Sequence, residues 1–283
     1  MKRVLGAVAS FVLVGVMTFA LLELVPGDVS AQRLGVGSSA AARASLREAL
    51  GLSGPVAARG LRYLAHIARF DLGRSLVDGR EVREKIAERL PASVLLAVVT
   101  LLLTWCVALP LAVWRRKLLV LTLVYAIPLP TLCLGLLTLG APYGASTGAL
   151  VCAALALLPL TVPRTHAQVA RALDEAWRSD ALLTLRAAGA PPGRLLRAAL
   201  RTHALRLVTL VALQFPALLS GVVLVESIFG LPGLGLLAFD ALAARDVPTL
   251  LGLVLVGAAI TIGCTLGVDL VAARLDPRLA DET

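Results

Sequence analysis

Between Leu118 and Pro163 the chain carries no charged residue. As one helix, that stretch would be roughly 70 Å long at 1.5 Å per residue. The hydrocarbon layer of a bilayer is only about 30 Å thick. The stretch therefore has to turn back on itself in an apolar medium, and GAPYGAST (Gly140–Thr147) supplies the break. Four further apolar runs stand apart from it. They are Met1–Val25, Pro91–Trp114, Leu207–Val225 and Val247–Val268. A helical backbone satisfies its own hydrogen bonds in lipid, so such runs read as membrane-spanning helices. The composition agrees, with 58% hydrophobic and 16% charged residues, where a soluble domain has about 25% charged. The expectation is an all-α integral membrane protein with six transmembrane helices.

The charges then set a topology. Lys2 and Arg3 lead the first run, and Arg115, Arg116 and Lys117 follow the second. The arginines of 164–206 and of 274–278 fall on the same side if six helices cross. By the positive-inside rule that side is the cytoplasm, with both termini there. The first run is longer than the apolar part of a signal peptide, so it is read as an uncleaved span. The net charge of +9 comes from short segments between apolar runs, which is not the footprint of a nucleic-acid-binding domain. No metal is expected, because the four cysteines lie singly in apolar runs and the three histidines have no zinc-ligand spacing. No phosphate loop is present, so the chain itself is expected to bind no ATP and no other cofactor.

Three regions follow: a first transmembrane helix at 1–25, an external amphipathic segment at 26–90, and a core at 91–283 holding five spans and a cytoplasmic loop at 166–206. Within 26–90, RASLREALGL, RGLRYLAHIARF and EVREKIAERL have apolar residues at helical spacing. Pro91 suits the start of the second span, where its missing N–H costs nothing. Pro128 and Pro130 are expected to kink the third span.

The cytoplasmic loop is the most informative stretch. Ala172–Ala188 has helical propensity and no internal proline or glycine. Gly189 stops the helix and Pro191-Pro192 forbids its continuation. A second helical stretch runs from Gly193 into the fifth span. A short helix tethered to two spans can act as a lever if a soluble partner presses on it; an ordinary solvated loop is the plain alternative.

These residues resemble those of a known family. The loop is similar to that of ABC importer permeases of the dipeptide, oligopeptide and nickel group, whose version runs roughly E-x-x-x-x-D-Y-V-x-T-A-R-A-K-G. Here Glu175, Asp180, Thr184, Arg186, Ala187 and Gly189 stand in those places, while Ala181, Leu185 and Ala188 depart. LVPGDVS (Leu24–Ser30), FDLGRSLVDGREVREKIAERLPAS (Phe70–Ser93), VYAIPLP (Val124–Pro130), VESIFGLPGLG (Val225–Gly235), ARDVPTLLGLVL and VDLVAARLDPRL resemble the group's other motifs, in the same order. That order is similar to the B-type subunit, with its helical external segment after the first span.

The resemblance implies the type I ABC importer permease fold and a multi-pass protein of the bacterial inner membrane. It implies a homologous C-type permease subunit, two ABC ATPase subunits carrying ATP and Mg, an extracytoplasmic substrate-binding protein, and peptides or a nickel chelate as cargo. The six matching loop residues would dock the ATPase. Glu226, Pro128 and Pro130 would belong to the translocation path or its gate, with a pairing of Glu226 and Arg245 as the alternative. Asp28, Asp71 and Arg74 would dock the binding protein. No catalytic residue is implied. A secondary transporter is the rival class, but the spans carry almost no ionisable residue for ion coupling. A purely structural membrane subunit is the other.

Overall fold

The computed structural model describes residues 2–24, 55–114, 127–140 and 147–275. Asp28, the basic cluster at 115–117, Val124–Ala126 and the tail from 276 lie outside them. Eleven helices are described: α1 (Lys2–Leu24), α2 (Val56–Ala68), α3 (Val82–Val113), α4 (Leu129–Gly140), α5 (Thr147–Trp177), α6 (Asp180–Ala187), α7 (Pro192–Thr202), α8 (Ala204–Gly221), α9 (Val223–Phe229), α10 (Leu234–Ala243) and α11 (Val247–Leu275). Among the described residues there is no strand, only an isolated bridge between Arg74 and Glu81. Four helices, α1, α3, α5 and α11, are long and apolar enough to cross a membrane by themselves. The count rises to six if the bent pairs α7–α8 and α9–α10 each make one span.

The chain divides into two compact units, Met1–Pro91 with Leu236–Ile262, and Ala92–Gly235 with Gly263–Thr283. In the first, α2 packs on α1 through small residues. A Cβ at Gly60 would come within 3.2 Å of Phe19, and one at Gly15 within 3.0 Å of Leu64. Phe19 and Tyr63 stack with ring centroids 5.7 Å apart, and the Tyr63 hydroxyl donates to Thr18 at 3.3 Å. In the second unit, Cys133, Ala153, Ala154 and Leu157 of α4 and α5 close around Val222, Val225 and Phe229.

Two helix boundaries differ from the sequence reading. The helix of the second span does not start at Pro91: α3 starts at Val82 and runs through the proline. Val82 and Ile86 are buried, and Gly252 of α11 lies so close that a Cβ there would sit 2.5 Å from Val82. That packing outweighs the loss of one backbone hydrogen bond and the ring clash, together about 3 kcal/mol for an interior proline. The helix of the fourth span likewise does not stop at Arg164. Helix α5 continues past Pro159, Pro163 and Arg164 to Trp177. The prolines expected to kink the third span stand at the start of a described helix, and 115–126 lie outside the described residues. Pro128 precedes α4 and Pro130 is its second residue, a position where proline costs nothing.

Candidate functional site: a tethered surface helix

The loop expected to be one helix from Ala172 to Ala188 is two. Arg178 and Ser179 donate to Glu175 and Ala176 in tight i to i−3 bonds, and this closes α5. Ser179 then has extended backbone, and its Oγ accepts the Leu182 N–H at 3.4 Å. It caps α6, and Asp180 in the first turn meets the positive end of the helix dipole. At the other end Gly189 stands at φ 73, the left-handed conformation that favours glycine. The N–H groups of Ala188, Gly189 and Ala190 return to Thr184, Arg186 and Leu185 and satisfy the last carbonyls. Pro191 is extended and Pro192 opens α7 at a position that needs no N–H.

A single side chain of α6 is buried, Leu182 at 2% exposure. It packs with Ala112 of α3, Val169, Leu173 and Ala176 of α5, and Ala199 of α7. Asp180, Ala181, Leu183, Thr184, Arg186, Ala187, Ala188 and Gly189 are exposed, and Leu183 remains 49% exposed. Five of the six residues expected at the ATPase contact are thus exposed, with Asp180, Thr184 and Ala187 along one side of α6 and Gly189 in the turn after it. The Thr184 hydroxyl is spent on its own helix, donating to the Asp180 carbonyl at 2.8 Å. Glu175 differs from the rest. It lies on α5, and its carboxylate meets Arg206 of α8 at 2.5 Å, so it ties the hairpin's two tethers together.

Deeper in the same unit a polar seam crosses the spans. Gln214 of α8 accepts from Trp105 Nε1 of α3 at 3.2 Å and donates to Thr165 Oγ1 of α5 at 2.8 Å. Thr104 and Thr161 pair at 2.7 Å between α3 and α5. The sequence reading singled out none of these. Their signal is one polar residue per turn on otherwise apolar helices.

Glu226 is 1% exposed and lies inside an elbow between α9 and α10, which meet at 86°. Its carboxylate accepts Ser93 Oγ at 2.6 Å and the Gly235 N–H at 2.6 Å. Ser93 in turn accepts the Leu234 N–H at 2.7 Å. Gly230 at φ 62 ends α9. A Cβ at Gly233 would sit 2.2 Å from the carboxylate, and one at Gly235 would sit 2.4 Å from the Val223 backbone. The VESIFGLPGLG motif therefore has a local physical basis. The acid folds the elbow, and the glycines make room for it. Ser93 and the Gly235 N–H both hold the Glu226 carboxylate.

In the other unit, Asp71 accepts the Gly73 N–H at 3.0 Å and meets His66 Nδ1 at 2.7 Å. The Gly73 N–H first, and then the His66 bond, hold its carboxyl below the usual value. Arg74 lies 3.9 Å from Glu81 and is largely exposed. A buried clamp, not singled out in the sequence, lies beside them. Asp246 accepts Ser75 Oγ at 2.5 Å, Thr249 Oγ1 at 2.6 Å and the Leu76 N–H at 3.0 Å. Lys85 Nζ stands 3.6 Å from Asp246 and 3.0 Å from Asp78. Burial pushes the Asp246 carboxyl up, but the Ser75, Thr249 and Leu76 donors and the Lys85 charge outweigh it and hold it below normal. Desolvation raises the Asp78 carboxyl, but Lys85, Ser75 and the Arg80 N–H together outweigh it, so the carboxyl is lowered to about 2. No group of metal-ligating side chains is assembled among the described residues.

The chain belongs to the family of binding-protein-dependent transport system inner membrane components. That family's profile matches residues 86–281, and its N-terminal companion matches residues 1–97. The chain is 30% identical over 308 residues to the glutathione transport system permease protein GsiC of Salmonella paratyphi A, covering 99% of this chain and 97% of the relative. It is 28% identical over 306 residues to a probable peptide ABC transporter permease of Sinorhizobium fredii, covering 99% and 98%. It is 28% identical over 314 residues to a putative peptide transport system permease of Brucella abortus, covering 99% and 98%. It is a multi-pass inner-membrane permease subunit of an ABC importer and not an enzyme.

Proposed function

We propose that this subunit pairs with a homologous C-type permease and carries peptides, delivered by an extracytoplasmic binding protein, between the two. Two ATPase subunits, holding ATP and Mg, drive the cycle. In this reading α6 is the ATPase-docking helix, with Asp180, Thr184, Arg186, Ala187 and Gly189 on or beside the contact and Glu175 bracing it from behind. Both termini and this hairpin face the cytoplasm. The external segment at 26–90 and the exposed Asp71 and Arg74 form the side approached by the binding protein. Peptide cargo is favoured over a nickel chelate because the relatives carry peptide and glutathione names.

The observation that carries the proposal is the construction of α6. It is capped at both ends, has Leu182 as its one buried side chain, and is joined to α5 directly and to α8 through α7, so a push on its exposed side reaches both tethers. ATP-driven approach of the ATPases would move it as a rigid body and turn the spans in an alternating-access motion. The energy is the differential affinity of the two states for nucleotide and for the docked receptor. The test is co-purification of the four-subunit complex and peptide-stimulated ATP turnover in nanodiscs. Deletion of Ser179–Gly189, or Gly189→Trp, should abolish both coupling and uptake. Coupled uptake that survives either change would overturn the docking role.

A further inference from the structure

Helix α7 presents a surface that the docking reading does not use. Its sequence is PGRLLRAALRT. Leu195 and Ala199 are buried against α5 and α6, and Arg194, Arg197 and Arg201 are exposed. At about 100° per residue the three arginines fall within an arc of roughly 60°, so they form one stripe. None has an acidic partner among the described residues. The surrounding sequence offers none either, because no Asp or Glu occurs between Ala181 and Val225. Arg206, the next arginine along, is the one that is paired, to Glu175.

The stripe's position decides what it meets. Helix α7 is bent by 59° from the apolar helix that follows, at a joint on His203. A straight continuation would carry Arg194 about 13 Å beyond the joint, at 1.5 Å per residue. Tilted by 59°, α7 rises only about 7 Å over the same residues. The headgroup layer on each side of a bilayer is roughly 5–8 Å deep. With α8 along the bilayer normal and the joint at the edge of the hydrocarbon, arginines on such a helix would lie at phosphate depth, within reach of their long stems.

We infer that the Arg194–Arg197–Arg201 face binds the headgroups of anionic phospholipids and so fixes the docking hairpin to the membrane surface. This rests on the reading that the hairpin lies at the cytoplasmic leaflet. The opposite face of α7 packs on α5 and α6. The lipid contact therefore supports the helix on which the ATPase would press.

The test uses the purified full chain without ATPases, equilibrated with mixed micelles of phosphatidylglycerol and phosphatidylcholine and read by native mass spectrometry. The chain should retain phosphatidylglycerol in preference to phosphatidylcholine. Arg194→Gln, Arg197→Gln and Arg201→Gln together should remove that preference, by roughly fivefold per arginine in contact. The matching triple lysine variant should keep most of it, which separates charge from folding. Equal thermal midpoints in phosphatidylcholine alone would confirm that both variants are folded. An unchanged preference in the glutamine variant would overturn the inference. So would its loss in a folded lysine variant. A glutamine variant that keeps the lipid but no longer holds the ATPases would assign the stripe to a protein partner instead. Because no ATPase is present in the lipid measurement, a failure of α6 docking leaves its result untouched.

Discussion

Replacing Gly233 by alanine tests the elbow around Glu226. The added Cβ would lie 2.2 Å from the carboxylate carbon and from both oxygens. That is well over 1 Å inside contact distance, where non-bonded atoms prefer about 3.5 Å or more. Either the glutamate or the backbone has to move. If the glutamate moves, it gives up the Ser93 and Gly235 hydrogen bonds, both at 2.6 Å and buried. Bonds to a charged group contribute about 1.5–3 kcal/mol each, so the loss is roughly 3–6 kcal/mol. The entropy gained by replacing glycine with alanine, about 0.4–1 kcal/mol, is too small to offset it. The thermal midpoint of the chain in nanodiscs should therefore fall sharply. Gly135→Ala, with nothing within 4 Å of the new Cβ, should be close to neutral. The discriminating measurement is the double variant. Once Glu226→Ala has emptied the elbow, Gly233→Ala should cost little more. If the two changes add independently, the carboxylate is not what the glycine accommodates, and this account of the motif is wrong.

Gly189→Ala places a residue at φ 73 with open space around its Cβ, so the cost is backbone strain alone, about 1–2 kcal/mol. Coupled uptake should fall while the thermal midpoint of the spans holds, and Gly189→Asn should retain more activity than Gly189→Ala. Gln214→Leu leaves Trp105 Nε1 and Thr165 Oγ1 without their partner. Bonds of this kind within a membrane contribute about 0.6–1.7 kcal/mol each, so a loss of roughly 1–3 kcal/mol is expected in chemical denaturation. Acid should loosen the Ser75–Asp246 clamp. The Asp78 carboxyl is depressed from 3.8 to about 2 and Asp246 is depressed too, so their contribution is complete above the usual carboxylate value and is lost as pH falls toward 2. Hydrogen exchange at residues 70–81 should accelerate over that window, and Lys85→Met should weaken the transition.

Stops and caps were legible in the sequence because each depends on one residue's own backbone chemistry. Gly189 and Pro191-Pro192 end and restart helices where expected. Helix continuity was not legible. Pro91 and Pro163 each look like boundaries, and each lies inside a helix because packing elsewhere outweighs a local penalty. Ser179 was the reverse case. A single hydroxyl capping Leu182 split a stretch with uniform helical propensity. Motif matching singled out Glu226 and Glu175 but could not give the partners in their own chain, Ser93 and Arg206, that their carboxylates meet. Pairings such as Ser75 with Asp246 or Trp105 with Gln214 join residues more than a hundred positions apart. No local pattern could announce them.

Helix α6 separates what it needs in order to fold from what it offers a partner. Leu182, which stands where the family's pattern has valine, alone satisfies the core, and the other positions where the loop departs from that pattern, Ala181, Leu185 and Ala188, lie outside it. Substitutions there change the surface an ATPase would read and leave the hairpin standing. If α6 docks the ATPase as proposed, the fit to that partner can drift by surface substitutions on one short helix while the residues that seat it stay as they are.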